Sequence, residues 1–248
     1  MAGGTMTTRR LLSITACGIG AIAALMPVHA RAGERWGGSL ALTTDYRLRG
    51  ISQSDESPAV QIDLHYDAAS GWLAGLWAST IRRNRYQPTS GEVDALVGYR
   101  WAIDSDWSAK LTAVHYMYPW DSLAHSYDYD ELIAATAYRD RAFLTVAYSP
   151  DAVPFPARWQ AGRPAALSYE LTLRLPLAAS LFGSGGVGHY QLHDQQASSY
   201  WYWSAGLGYG LERLHFDLTY FGTSSIANSL FYDEVAGNRW AGTVTWSF

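Results

Sequence analysis

The stretch "VQIDLHYD", residues 60–67, decides how the rest of the chain is read. Val60, Ile62, Leu64 and Tyr66 fall on one face of an extended strand, and Gln61, Asp63, His65 and Asp67 on the other. Strict alternation with period two marks a strand lying between an apolar and a polar environment. The same phase returns further along. Val93, Ala95, Val97, Tyr99 and Trp101 oppose Glu92, Asp94 and Arg100. Leu167, Tyr169, Leu171 and Leu173 oppose Ser168, Glu170, Thr172 and Arg174. Leu214, Phe216, Leu218 and Tyr220 oppose Arg213, His215, Asp217 and Thr219.

From Trp36 onward the chain divides into such segments, separated by turn residues: 38–48, 58–67, 71–81, 92–101, 106–117, 128–138, 141–148, 166–175, 180–190, 200–209, 212–222 and 238–248. A tilted strand that crosses a bilayer needs about 9–11 residues, which these segments supply. Segments 71–81 and 180–190 are rich in Gly and Ala, and 128–138 shifts phase. The connections alternate in length. Long ones (49–57, 82–91, 118–127, 149–165, 191–199 and 223–237) exchange with short ones (68–70, 102–105, 139–140, 176–179 and 210–211). Outer-membrane barrels combine long external loops with short periplasmic turns, and a soluble sandwich has no reason to alternate in this way. The expected fold is all-β: a closed transmembrane antiparallel β-barrel of about 12 strands with both termini periplasmic. Closure pairs every strand N–H and C=O inside the bilayer. Twelve strands exceed the roughly eight whose side chains fill the interior and fall short of the 16–18 of wide porins. A narrow, polar, partly obstructed channel is the expected result.

The stretch "LTTDYRLRGISQ", residues 42–53, reads as part of the first strand. On this reading Leu42, Thr44, Tyr46 and Leu48 meet lipid, Asp45 and Arg47 point inward, and Arg49 to Gln53 enter the first external loop. The phase is dictated by cost, since Arg or Lys on the lipid face costs about 2–4 kcal/mol at the midplane. At the other end Trp240, Gly242, Val244, Trp246 and Phe248 share one face, and the last residue is Phe248. A terminal aromatic closing an alternating strand resembles the assembly signal of Gram-negative outer-membrane barrels. Trp240, Val244, Trp246 and Phe248 are therefore expected to be read by the barrel assembly machinery. Trp36, Trp72, Tyr99, Trp101, Trp107, Tyr116, Tyr118, Trp120, Trp201 and Trp203 gather near strand ends, where interfacial girdles belong.

Composition agrees with this class. Aromatic residues make up 14% of the 248, with 17 Tyr and 11 Trp, while only 16% are charged. Typical soluble domains carry roughly 25% charged residues. Residues 1–30 read as a cleaved signal peptide: Arg9 and Arg10, an apolar run from Leu11 to Met26, then small-x-small sites that place the cut after Ala30 or Ala32. Cys17, the single cysteine, resembles a lipoprotein box, but apolar residues continue past it. The twin-arginine pattern at Arg9-Arg10 belongs to a route for folded cargo, which suits a membrane-assembled barrel badly. The remaining chain, 31–248, is a single barrel domain without cysteine, which excludes disulfides and thiolate chemistry. The 18 basic residues, less Arg9 and Arg10, face 22 acidic ones, an excess of about six negative charges that excludes a nucleic-acid partner.

No catalytic or metal-binding set emerges. His125-Ser126, with Asp121 and Asp128 nearby, is the only candidate for hydrolase chemistry, and it lies in one loop with no legible partner strand. His189, His193 and Asp194 run from strand into loop, which reads as solvated surface rather than a metal centre. The glycine-rich "FGSGGVGHY", 182–190, lacks the Lys-Ser/Thr ending and the following helix of a phosphate loop. A non-enzyme without cofactor or metal is expected. Loop 149–165 is stiffened by Pro150, Pro154, Pro156 and Pro164 and carries Arg158 and Arg163; it either folds inward or caps the rim. Arg82, Arg83 and Arg85 give loop 82–91 a basic start that can meet anionic lipopolysaccharide.

The run "TDYRLRGISQ" (44–53), followed by "SPAVQIDLHYDAASGWLAGLWAST" (57–80), resembles the TorF family of proteobacterial porin-like proteins. That family shares an Asp-Tyr-Arg-x-Arg-Gly-x-Ser-Gln run and a Gly-aromatic-x-x-Gly-x-Trp-Ala-Ser strand, matched here by Gly71 to Ser79. The resemblance covers the opening half closely and the later strands in general pattern. It implies an outer-membrane barrel and names no solute.

The function expected is passive diffusion of small hydrophilic solutes through an outer-membrane porin-like channel, with lumen charges and loops setting selectivity. The lumen-facing set is Asp45, Arg47, Asp63, His65, Glu92, Asp94, Arg100, Lys110, Glu170, Arg174, Arg213 and Asp217, whose near balance of charge predicts weak ion selectivity. Outer-membrane lipid and lipopolysaccharide are the expected surroundings. Two alternatives remain: a structural or adhesive barrel closed by interior pairs such as Arg47 with Asp63, and a lipid-modifying barrel enzyme with a Ser-His pair at the rim.

Overall fold

The computed structural model describes residues 35–82, 89–120, 127–152, 163–193, 198–231 and 233–248, so the leader expected over 1–30 lies outside the described residues. The elements are β1 (Arg35–Thr43), β2 (Arg47–Leu48), β3 (Ile51–Ser52), β4 (Ala59–Asp67), β5 (Trp72–Ile81), β6 (Ser90–Ala102), β7 (Trp107–Met117) and β8 (Tyr129–Tyr138). They continue with β9 (Ala142–Ser149), β10 (Ala166–Pro176), β11 (Leu181–Leu192), β12 (Ser199–Leu211), β13 (Leu214–Thr223), α1 (Ser225–Leu230), α2 (Asp233–Ala236) and β14 (Arg239–Ser247). Twelve strands form a closed antiparallel barrel in which each pairs with its neighbours in the chain and β14 returns to β1. The other two, β2 and β3, make a separate ribbon. The β1–β14 seam pairs Ser39–Thr43 with Ser247–Thr243 and is extended by Gly38 and Phe248, which exchange N–H···O=C bonds of 3.2 and 3.0 Å.

The wall strands coincide closely with the sequence segments, except the first. Expected over 38–48, it occupies Arg35–Thr43 instead. At Thr44 the chain leaves the wall and turns into the barrel, so Tyr46 and Leu48 do not face lipid. Tight turns link strands at the opposite end. Arg139 and Asp140 both adopt φ of 52°, and Arg141 N–H closes the turn on Tyr138 O at 2.9 Å. Such mirror-image turns match the right-handed twist of the strands they join.

The outer wall is apolar through its middle, with Leu40, Leu42, Val60, Ile62, Leu64, Leu76, Val97, Leu132, Leu144, Leu171, Val187, Leu207, Leu218 and Val244 all exposed. Soluble monomers rarely expose a continuous apolar surface of this extent. Aromatic pairs rim the belt at both ends. Trp36–Tyr66, Trp72–Tyr99 and Trp107–Tyr138 lie toward the tight turns, with ring centroids 5.2, 5.2 and 4.9 Å apart. His189–Trp201 and Tyr220–Trp240 lie toward the long loops, at 4.7 and 5.3 Å. Tyr116 and Tyr118, expected in this girdle, are instead buried inside, because the inward phase of Ser108, Lys110, Thr112 and Val114 carries through them.

The interior is not uniformly polar. Leu73, Ile81, Leu96, Val114, Tyr116 and Ile133 form an apolar cluster along the inner wall of β5 to β8. This explains why 71–81 and 128–138 alternate poorly. Leu73, Trp77 and Ile81 point inward while Trp72 and Leu76 point outward, so both faces of β5 are apolar.

Candidate functional site

The site is built around the segment that leaves the wall. Thr43 Oγ1 donates to the backbone oxygen of Asp45 at 3.0 Å, holding the bend. Asp45 then organises a small hairpin. Its carboxylate accepts Arg47 Nε at 2.6 Å and the hydroxyls of Ser52 and Ser54 at 2.5 and 3.2 Å. Arg47 Nη1 also donates to the carbonyls of Gly50 and Gly237, at 2.9 and 2.8 Å. The β2–β3 ribbon reverses at Arg49 and Gly50, with φ of 51° and 80°. Two positive φ values in a two-residue turn define the type I′ hairpin, a conformation that suits glycine and is uncommon for arginine.

The arginine is held there by what its side chain reaches. Arg49 Nη2 donates to both carboxylate oxygens of Glu131 on β8, at 2.7 and 2.9 Å, and both side chains are buried. Its guanidinium carbon lies 5.1 Å from the Tyr190 ring centroid, within cation–π range. Tyr200 O–H donates to Arg49 O at 3.1 Å. Around this contact the inner wall supplies acids and tyrosines. Tyr116 O–H donates to Glu131 at 3.1 Å, and its ring stacks on Tyr129 at 4.3 Å. Tyr46 O–H reaches Glu92 at 3.4 Å, and Tyr202 O–H reaches Glu170 at 3.0 Å. The Tyr202 ring lies against residue 188 because that residue is glycine: a Cβ there would sit 2.1 Å from the ring. A cavity of about 40 Å³ remains beside Arg49, lined by Tyr118, Tyr129, Tyr190, Tyr200 and Phe231 among others. Phe231 follows α1, and with Val235 and Ala236 it packs over Ile51 at the loop end.

A second polar layer lies toward the tight turns. Arg100 pairs with Asp67 at 2.9 Å, and His65 Nδ1 meets Asp63 at 2.6 Å. Arg174 stacks over Phe182 at 3.9 Å. Lys110 Nζ is buried without a hydrogen-bond partner among the described residues. Acids and bases balance in this layer, with Asp63, Asp67 and Asp217 against Arg100, Lys110 and Arg174. Toward the loops the described carboxylates prevail: Asp45, Glu92, Asp94, Glu131 and Glu170 against Arg47 and Arg49. Glu92 and Thr112 have no solvent exposure, and His215 and Thr245 only 1%, so the interior is packed around them rather than open.

Of the residues singled out in the sequence, Asp63, His65, Glu92, Asp94, Arg100, Lys110, Glu170, Arg174 and Asp217 sit on inward positions of wall strands. Asp45 and Arg47 are also inside, on the hairpin rather than the wall, because the strand ends at Thr43. Arg213 is corrected: it has the inward phase, but it lies exposed in the turn between β12 and β13, beyond the wall. The pair imagined between Arg47 and Asp63 is not formed; Arg47 binds Asp45, and Asp63 binds His65. Sequence reasoning placed Arg49 in an external loop and did not select Glu131. The available signal was Gly50 between Leu48 and Ile51, which marks a turn without saying where it points. Trp240, Val244, Trp246 and Phe248 all lie exposed on the outer face.

Among the described residues no group of three His, Asp or Glu side chains can hold a metal ion. Asp121, His125, Ser126 and Asp194 lie outside the described residues, while Asp128 accepts the backbone N–H of Tyr118 at 2.9 Å. Pro154, Pro156 and Arg158 are also outside, as are Arg83 and Arg85. Arg163 pairs with Asp151 at 3.1 Å at the loop end.

The fold is similar to that of solved porins. The NanC porin superposes with a TM-score of 0.56 at 11% identity, over 86% of this chain and 99% of that one. The KdgM porin gives 0.50 at 9% identity, over the same shares. A deletion mutant of the TodX monoaromatic hydrocarbon channel gives 0.49 at 10% identity, over 94% of each chain. No curated protein sequence matches the chain. A family model described as "Bacterial protein of unknown function" (Gcw_chp) matches residues 29–248, so the chain belongs to that family.

Proposed function

We propose that the protein is an outer-membrane channel of porin type for passive diffusion of small hydrophilic solutes, constricted by the hairpin that follows β1. The observation that carries this reading is the two-sided wall: an apolar belt between aromatic rims outside, and paired charges inside. The long loops are external, and the tight turns and C-terminus periplasmic, as in barrels of this kind. The exposed face of Trp240, Val244, Trp246 and Phe248 then serves the assembly machinery, and Arg82 and Arg163 lie where lipopolysaccharide begins. The resemblance of residues 44–80 to TorF porin-like proteins supports the same reading. Among the described residues the loop-end interior carries Asp45, Glu92, Asp94, Glu131 and Glu170 against Arg47 and Arg49, which supports a modest preference for cations over the weak selectivity expected from the sequence.

Planar-bilayer recording of the purified barrel tests the proposal. Small discrete conductance steps are expected, and larger ones when residues 46–53 are replaced by a short Gly-Ser linker. The packed interior favours one rival, a closed structural barrel. That rival predicts silence from both proteins, an outcome that sinks the channel reading.

A further inference from the structure

Arg49 is not part of the barrel wall. It stands at the tip of a hairpin, in a backbone conformation arginine rarely adopts, and reaches into a chamber whose groups suit a cation. Glu131 takes its guanidinium on two oxygens, Tyr190 offers a ring face, and Tyr200 holds the tip through its backbone oxygen. A charge-assisted carboxylate contact, here from one guanidinium nitrogen to both oxygens, combined with an aromatic face suits a planar guanidinium. A further acid stands next to the chamber, beside Tyr116 on the neighbouring strand rather than against Arg49. Asp94 is 7% exposed and points inward opposite Tyr116, yet one of its carboxylate oxygens has no hydrogen-bond partner among the described residues. Arg47 makes its contacts elsewhere, through Nε to Asp45 and Nη1 to two carbonyls, although its Nη2 has no hydrogen-bond partner among the described residues.

We propose that this chamber is a binding site for a small organic cation with a guanidinium head, and that Arg49 is a tethered occupant which the free cation displaces. The permeation half of the idea rests on the channel reading above; the binding half does not. A tethered group competes at an effective concentration in the millimolar range or higher. The intact protein therefore binds a free guanidinium weakly, and removing the tether exposes the site. Displacement of Arg49 also loosens the hairpin tip, since the contacts with Glu131 and Tyr190 leave with the side chain while the Tyr200 bond to its backbone oxygen remains.

The probe is methylguanidinium, with acetate and methanol as controls of similar size. Titration calorimetry on folded Arg49→Ala in detergent is expected to show millimolar or tighter binding of methylguanidinium and none of acetate or methanol. Affinity should fall by roughly tenfold or more in Arg49→Ala/Glu131→Gln, since a charged hydrogen bond is lost. Should Arg49→Ala not fold, the wild-type barrel carries the test: methylguanidinium should accelerate amide hydrogen exchange over Leu48 to Ile51, and sodium acetate at the same ionic strength should not. In bilayers, Arg49→Ala should shift the reversal potential toward cation selectivity, and methylguanidinium should block it. Binding without conductance would remove the channel reading and leave the site standing. Conductance with no methylguanidinium binding or block, or binding unaffected by Glu131→Gln, would overturn the inference.

Discussion

Asp45→Asn is the sharpest test of the inward hairpin. The substitution keeps the shape of the side chain and an oxygen to accept the Ser52 and Ser54 hydroxyls, but it removes the charge facing Arg47. That pair is buried on both sides, with side-chain exposures of 0% for Arg47 and 3% for Asp45. Breaking a buried ion pair by neutralising one partner costs about 3–5 kcal/mol, because the other charge is left uncompensated. The loss falls on the local equilibrium between docked and released hairpin, since the twelve-stranded wall does not depend on it. At about 1.4 kcal/mol per tenfold, the released population should rise on the order of 10²- to 10³-fold. Trypsin reads this directly, since cleavage after Arg47 or Arg49 requires release, and its rate follows the open population when reclosing is fast. The expected result is slow appearance of fragments starting at Leu48 or Gly50 from the wild type and rapid appearance from the variant. Asp106→Asn is the control, because it removes a charge from the exposed turn pair with Arg139 and should leave both rates unchanged. Equal cleavage of wild type and Asp45→Asn would refute the buried hairpin and the reasoning built on it.

Three further outcomes follow from the geometry. Gly188→Ala should push Tyr202 off Glu170 and cost roughly 1–3 kcal/mol, read as a lower denaturant midpoint for folding into vesicles. Gly183→Ala, whose added carbon would meet Leu177 at an ordinary 3.5 Å, should change little in the same assay. Ile62→Arg places a charge on the apolar belt and should destabilise the inserted barrel by about 2–4 kcal/mol at the midplane, whereas Leu177→Arg, beside a tight turn, should be tolerated. The hydrogen bond from Arg139 holds the Asp106 carboxyl below the usual aspartate range. Its contribution is therefore present above the ordinary aspartate pKa and lost as pH falls through the lowered one; an NMR titration should show this, with Arg139→Gln restoring the normal value.

The wall was legible in the linear order of residues. Lipid outside and polar groups inside leave a period-two pattern along each strand, and short turns against long loops separate the two ends. Val60 to Asp67 and Leu167 to Arg174 declare their faces in this way without any knowledge of their neighbours. Where both faces are apolar, as on β5, the alternation fades, and the strand is defined by hydrogen bonding on either side instead. The destination of Asp45 to Ser54 was a matter of tertiary structure alone. Extended strand and inward hairpin share the same alternation, and local pattern does not distinguish a charge facing the lumen from one carried into it. The choice depends on partners distant in the chain: Glu131, Tyr190 and Tyr200 for Arg49, and Gly237 for Arg47. The sequence by itself determined a barrel with charges inside; only the packing across the lumen decided that one of those charges, Arg49, stands in the passage.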